Sequence, residues 1–244
     1  MTIERRATAG AAAEGEPKGA ATAGAGAFEG AHLTYPDPQL ARRHRAARAL
    51  RALSEALVGH EVPDAALDEV ADWAAGRAAE LRQGRVVPRG EDYQRRRYLD
   101  PTPPEGVAIV SFSDRPISGP ANPSAVDLVI RREGRESVGV ATFDRRFESS
   151  PGRVHGGITA SVFDDVMGYV NVIEGVAAYT YELTVRYLAG MPLGEPVVVR
   201  ARMDHCDWDR RRSTVTAEAT LADGTVAADA RASFALVPRE RFGL

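Results

Sequence analysis

One cysteine, Cys206, and one lysine, Lys18, stand in a chain of 244 residues. A lone cysteine cannot close an internal disulfide, which excludes a disulfide scaffold and makes the cytoplasm the expected location. With a single lysine, 30 of the 31 basic residues are arginine. A bias of that kind weakens the meaning of any one arginine run. An excess of one charge is missing too. The formal charge is −3, so no global field draws in nucleic acid or an anionic membrane. Long apolar runs are absent: none approaches the roughly 18–20 residues that span a bilayer, and none follows a basic start as in a signal peptide. The chain reads as neither secreted nor membrane-spanning.

What is present suffices for one core. Hydrophobic residues make up 44% and charged residues 27%, near the globular average, and the length suits one domain with appendages. Residues 1–30 contain 16 Ala or Gly and no hydrophobic period, which predicts a disordered tail. Residues 31–105 read as a helical extension and linker. After Tyr35-Pro36-Asp37-Pro38, Leu50, Leu53 and Leu57 share a helical face up to Gly59; after Pro63-Asp64, Leu67, Val70, Ala74 and Leu81 do so up to Gly84. The two segments predict a helical hairpin. Residues 85–105 are polar and end in Pro101-Thr102-Pro103-Pro104, which suits a linker.

From residue 106 on, the period changes to two. Val126, Leu128 and Ile130 alternate with Asp127, Val129 and Arg131, and Ser137–Phe147 reads as the next strand across Glu133-Gly134. A helix-period run follows His155-Gly156-Gly157, with Val162, Val166 and Val170 on one face, widened by Phe163, Met167 and Ile173. So broad an apolar surface predicts a buried helix. Four strands follow, at Thr180–Tyr187, Pro196–Met203, Ser213–Leu221 and Thr225–Val237, the last two joined by the turn Ala222-Asp223-Gly224. In the first of them Tyr181, Leu183, Val185 and Tyr187 alternate with Glu182, Thr184 and Arg186, as a half-buried antiparallel strand should. One apolar helix inserted early into an antiparallel series predicts an α+β layer, a sheet wrapped around the helix, over residues 106–244.

The run Pro151-Gly-Arg-Val-His155-Gly156-Gly157, with Asp164 seven residues after the second glycine, resembles the His-Gly-Gly signature of the PaaI-type hotdog acyl-CoA thioesterases. Leu183–Tyr187 and Met191-Pro-Leu-Gly194 resemble the strand and turn that follow the helix in that family. The resemblance implies a hotdog fold, hydrolysis of an acyl thioester of coenzyme A or an acyl carrier protein, and no cofactor beyond coenzyme A as part of the substrate. It also implies a homodimer or dimer of dimers, with a site shared by Gly156 of one chain and Asp164 of the other. Thr180, sixteen residues after Asp164, falls where the family has a hydroxyl that helps hold the attacking water. One departure stands out: Tyr187-Leu188-Ala189-Gly190 lacks the basic residue and proline that many relatives carry there. That implies a weaker hold on coenzyme A.

The chemistry can also be argued from the residues. Gly156 and Gly157 have no Cβ to keep a substrate carbonyl away from the backbone. Their N–H groups open a helix, where donors lack internal acceptors and the dipole favours negative charge. Losing one oxyanion donor costs about 3–4 kcal/mol in other enzymes, so Gly156 is the candidate oxyanion donor. Asp164 is the candidate general base or nucleophile, and its apolar neighbours predict low exposure. Asp165 lies about 100° round the helix and is given no catalytic part. His155 either orders the loop or polarises the carbonyl. Ser161 is not in Gly-x-Ser-x-Gly, so no hydrolase nucleophile of that type is expected. Asp204-His205-Cys206-Asp207-Trp208-Asp209 has metal-binding side chains, but strand alternation splits them between faces and Trp208-Asp209-Arg210 reads as a loop, so no metal is expected. Arg210, Arg211 and Arg212 could meet coenzyme A phosphates, with a solvated turn as the plainer reading. Two further readings stay open: a hotdog dehydratase, hydratase or natural-product tailoring enzyme on a carrier-bound chain, or a non-catalytic acyl-binding dimer.

Overall fold

The computed structural model describes residues 27–87, 96–97 and 101–242. The tail predicted for residues 1–30 therefore lies outside the described residues up to 26, and so does much of the predicted linker. Six strands form one antiparallel sheet: β1 (Asp127–Glu133), β2 (Glu136–Thr142), β3 (Ala178–Tyr187), β4 (Pro196–Asp207), β5 (Arg212–Thr220) and β6 (Val226–Leu236). They are ordered β1-β2-β4-β5-β6-β3. Helices α1 (Leu40–Gly59) and α2 (Asp64–Leu81) precede the sheet, and α3 (Gly156–Ile173) lies across it. This is the hotdog fold.

The core is the interface between α3 and the sheet. Val162, Phe163, Val166, Met167 and Val170 are buried against Val197, Val199, Val215 and Phe234. The predicted apolar face is the one that packs. One close approach is at Gly139 of β2, where a Cβ would fall 2.6 Å from Val166 Cγ2 and 3.1 Å from Leu128 Cδ1. Both neighbours are buried and cannot swing aside. Gly139→Ala is therefore expected to cost about 1–3 kcal/mol through overpacking. Denaturant unfolding measures it, and an unchanged midpoint would contradict so tight a crossing.

Several expectations need correction. β1 does not alternate: Leu128, Val129 and Ile130 are all buried, Val129 completely. The outer face of β1 is covered by Ala108 and by the Ala27–Ala31 segment, with Phe28 packed there. His32–Leu33 then pairs in parallel with Ile109–Val110. The strand expected over Ser137–Phe147 stops at Thr142, and a 3-10 turn at Arg145–Phe147 follows, capped by Asp144 accepting from the Arg146 N–H. β4 continues to Asp207, past the expected end at Met203, with a register shift between Met203 and His205.

Both N-terminal helices occupy their expected places, but their leucine stripes are not what is buried. α1 buries His44, Ala47 and Arg51. Arg51 Nη2 donates to Pro120 O at 2.6 Å, and the His44 ring meets the edge of Phe28 at 5.2 Å. Leu50 remains 38% exposed, and α2 buries no residue at all, leaving Leu81 80% exposed. Within the expected linker, Arg97 is buried with its guanidinium over the Tyr169 ring.

The sheet ends at β3, which pairs with β6 alone among the described residues. Its pattern breaks at one residue. Glu182 pairs with Ser233 and Thr180 with Phe234, so Tyr181 is looped out as a bulge. Tyr181 is 66% exposed instead of packing on the inner face with Leu183 and Val185. Bulges re-aim the side chains beside them. Here the bulge turns Thr180, not Tyr181, toward α3.

Candidate active site

The short strand Arg153–Val154 delivers the chain into α3. His155 is the N-cap in extended conformation, and its Nδ1 accepts the Gly157 N–H at 3.0 Å. A neutral ring that accepts at Nδ1 carries its proton on Nε2. The backbone oxygen of His155 takes the Ile158 and Thr159 N–H groups. Gly156 is left as the open donor: no hydrogen bond among the described residues uses its N–H. The expected pair of glycine donors is thus one donor, because His155 occupies Gly157. The glycine at 157 also makes room for the cap, since a Cβ there would press on His155 Cε1 and Nδ1 at 3.1 Å.

Tyr187, at the far end of β3, holds the other side of this turn. Its hydroxyl donates to Gly156 O at 2.8 Å, and a Cβ on Gly156 would meet the ring at 3.4 Å. Sequence reasoning placed Tyr187 only on a buried face. Its reach to Gly156 spans 31 residues of chain and leaves no local signal.

Asp164 sits two turns into α3, and Thr180 Oγ1 donates to its Oδ1 at 2.7 Å. The bulge at Tyr181 makes that contact possible. The two candidates are brought together, with the hydroxyl given to the carboxylate. Asp164 is half-buried in the single chain, more open than its neighbours suggested, and Thr180 is exposed. The buried acid is Asp165, paired with Arg115 and with Oδ2 lacking a hydrogen-bond partner among the described residues. The pair Asp165–Arg115 belongs to the face of α3 that the loop from Ser111 to Ala125 covers, where Tyr169 accepts the Ser111 N–H at 3.0 Å.

Arg210, Arg211 and Arg212 are not drawn to this site. They lie at the β4–β5 hairpin, where Arg211 takes a positive φ of 52°. Arg212 pairs in register with Ala235, on the face away from α3, and its guanidinium stacks over Tyr181 at 4.4 Å. Among the described residues no group of three or more His, Cys, Asp or Glu side chains could hold a metal ion. Burial and the carboxylates of Asp207 and Glu174 push the Cys206 thiol up, away from thiolate chemistry. No described helix is long and apolar enough to cross a membrane.

Gly156 and Asp164 are eight residues apart on one helix, about 12 Å along its axis. One carbonyl cannot touch both within a single chain. The arrangement therefore offers two half-sites: an open N–H at a helix start, and a carboxylate oriented by a hydroxyl.

Residues 151–228 match the thioesterase superfamily. A crystal structure of a thioesterase superfamily protein is similar at 26% identity, over 79% of this chain and 90% of that one, with a TM-score of 0.68. That span is too large for residues 106–244 alone. Smaller likenesses include a Streptococcus mutans protein bound to acetyl CoA, at 20% identity over 45% of this chain and 88% of that one, with a TM-score of 0.42. The PaaI protein of the E. coli phenylacetic acid degradation operon is similar at 20% identity, over 45% and 82%, with a TM-score of 0.41. No curated protein matches the sequence.

Proposed function

We propose that this protein hydrolyses an acyl thioester, of coenzyme A or of an acyl carrier protein, to a free acid and a thiol. The observation that carries the reading is the Thr180–Asp164 hydrogen bond on the same helix that begins with an unoccupied Gly156 N–H. Thr180 fixes Oδ1 and leaves Oδ2 of Asp164 for water. Asp164 takes a proton from that water as its oxygen bonds to the thioester carbon, and the carbonyl electrons move onto an oxyanion held by Gly156. Collapse breaks the C–S bond, and the thiolate leaves with the proton stored on Asp164. Direct attack by Asp164, giving a mixed anhydride that water then opens, uses the same groups.

Two chains complete each site, with Gly156 from one and Asp164 from its partner. The open side of β3 is the surface for that pairing, since an unpaired strand edge offers its backbone groups to another strand. Tyr179, Tyr181, Tyr187 and Leu188 are exposed along it. His155 supports hydrolysis over dehydration. Its Nδ1 is taken by Gly157 and its Nε2 carries the proton, which suits a fixed cap and a donor but not a base that removes a substrate proton.

The test is thiol release from a panel of acyl-CoAs and acyl carrier proteins, followed with a thiol reagent. Release from at least one substrate is expected. Acyl turnover without free thiol would transfer the protein to the dehydratase class, and binding without turnover would make it an acyl-binding dimer.

A further inference from the structure

Arg153 lies three residues before Gly156, so its Cα is within about 10 Å of the oxyanion donor. Its backbone is clamped from two sides. Arg153 bridges to Pro192 and pairs with Ser150, and the neighbouring Val154 N–H donates to Met191 O at 3.1 Å. Its side chain is held as well. Nη1 donates to Gly190 O at 2.9 Å, and the guanidinium lies against the Gly190 Cα. A Cβ at residue 190 would fall 2.5 Å from Nε, 2.6 Å from Cδ and 2.7 Å from Cζ. Only glycine leaves space for this posture.

The charge on Arg153 is not neutralised. Arg135, Arg146, Arg186 and Arg200 each lie against a carboxylate, whereas Arg153 forms no ion pair among the described residues. Arg153 is nonetheless exposed. An exposed arginine ordinarily gains nothing from being fixed, because ordering it costs side-chain entropy. Here one N–H is spent on a carbonyl, and no hydrogen bond among the described residues uses the other donors of the fork. Gly190 follows Tyr187 by three residues, and Tyr187 holds the Gly156 carbonyl. The cradle for the cation and the support of the oxyanion donor are thus one turn of chain.

We infer that Arg153 binds the phosphate at the end of the pantetheine arm of the substrate, a group common to coenzyme A and to the prosthetic arm of a carrier protein. Guanidinium forks match phosphate oxygens, and the donors left free are the ones such a group would take. The inference rests on the thioester reading above.

The test compares Arg153→Gln with wild type on three thioesters of one acyl group: acyl-CoA, acyl-phosphopantetheine, and acyl-N-acetylcysteamine, which has no phosphate. KM is expected to rise about ten-fold for the first two, the loss of a charge-assisted contact, with kcat unchanged and no rise for the third. Gly190→Ala, which evicts the guanidinium but keeps the charge, is expected to raise KM for the first two thioesters and not for the third. Acyl carrier protein, run beside acyl-CoA, tells which source the phosphate comes from by which KM responds. An equal change on all three thioesters, no change on any, or a rise for acyl-CoA without one for acyl-phosphopantetheine would overturn the assignment. Calorimetric binding of coenzyme A separates the two readings. Arg153-dependent binding by a protein that releases no thiol would remove the hydrolase alone, and equal binding by wild type and Arg153→Gln would remove the inference alone.

Discussion

Asparagine at position 164 is expected to lower kcat by about 10²–10⁴-fold, the range that a positioned acid or base contributes, with KM and melting temperature close to wild type. The change is nearly isosteric, and the amide oxygen can still accept from Thr180 Oγ1, now 2.7 Å from Oδ1. It can neither take a proton from water nor attack a carbonyl. Because Asp164 is half-buried, little packing is disturbed. Mixing sharpens the result. Gly156 is the first residue of α3, a position where proline is tolerated and its missing N–H costs the helix nothing, so Gly156→Pro removes the oxyanion donor. Each variant alone is expected to be nearly inactive. Co-refolded in equal amounts, they should recover about a quarter of wild-type activity, because half of the dimers would carry one site with both groups intact. Activity of Asp164→Asn within ten-fold of wild type would remove Asp164 from the chemistry, and failure of the mixture to recover would remove the shared site.

Arg115→Ala is expected to destabilise the protein by about 3–5 kcal/mol, the cost of stranding one partner of a buried ion pair. The Asp165 side chain is 5% exposed, its Oδ1 is paired with Arg115, and its Oδ2 has no hydrogen-bond partner among the described residues. Whole domains are stable by only about 5–15 kcal/mol, so the variant would stand near the edge of folding. The double change Arg115→Met with Asp165→Leu, which removes both charges and keeps the volume, should be close to neutral by comparison. Denaturant unfolding of the three proteins gives the comparison. A loss below about 1 kcal/mol for Arg115→Ala would show that water reaches Asp165 and that the pair is a surface contact.

Patterns carried by neighbouring residues were legible. The helix-period run from Val162 to Ile173 became the buried face of α3, and Ala222-Asp223-Gly224 became a turn in which Gly224 takes a φ of 85° and Asp223 accepts from the Thr225 N–H. An ordering part for His155 could be read from its place before two glycines, and the structure makes it the N-cap. What failed was whatever a distant residue decides. The period-two pattern of β3 runs unbroken through Tyr181, and only pairing with Ser233 and Phe234 reveals that one residue is looped out. Asp164 and Asp165 are adjacent and chemically identical, and Arg115, fifty residues away, determines which of them is buried. The alternation of β1 failed because a segment near Phe28 covers the face that a sheet edge would otherwise give to water. The leucines of α1 share a face, yet the buried side is the one holding His44, Ala47 and Arg51, chosen by the loop carrying Pro120.

Thr180 and Tyr187 stand at opposite ends of the last strand of the sheet, one steadying Asp164 and the other the Gly156 carbonyl. The second flank of this strand is the one proposed to meet the partner chain, so that contact helps to set the coil of the strand, and both hydroxyls travel with it. Solution conditions that flex this border would then retune acid and amide together, although no residue that meets the acyl group had been altered.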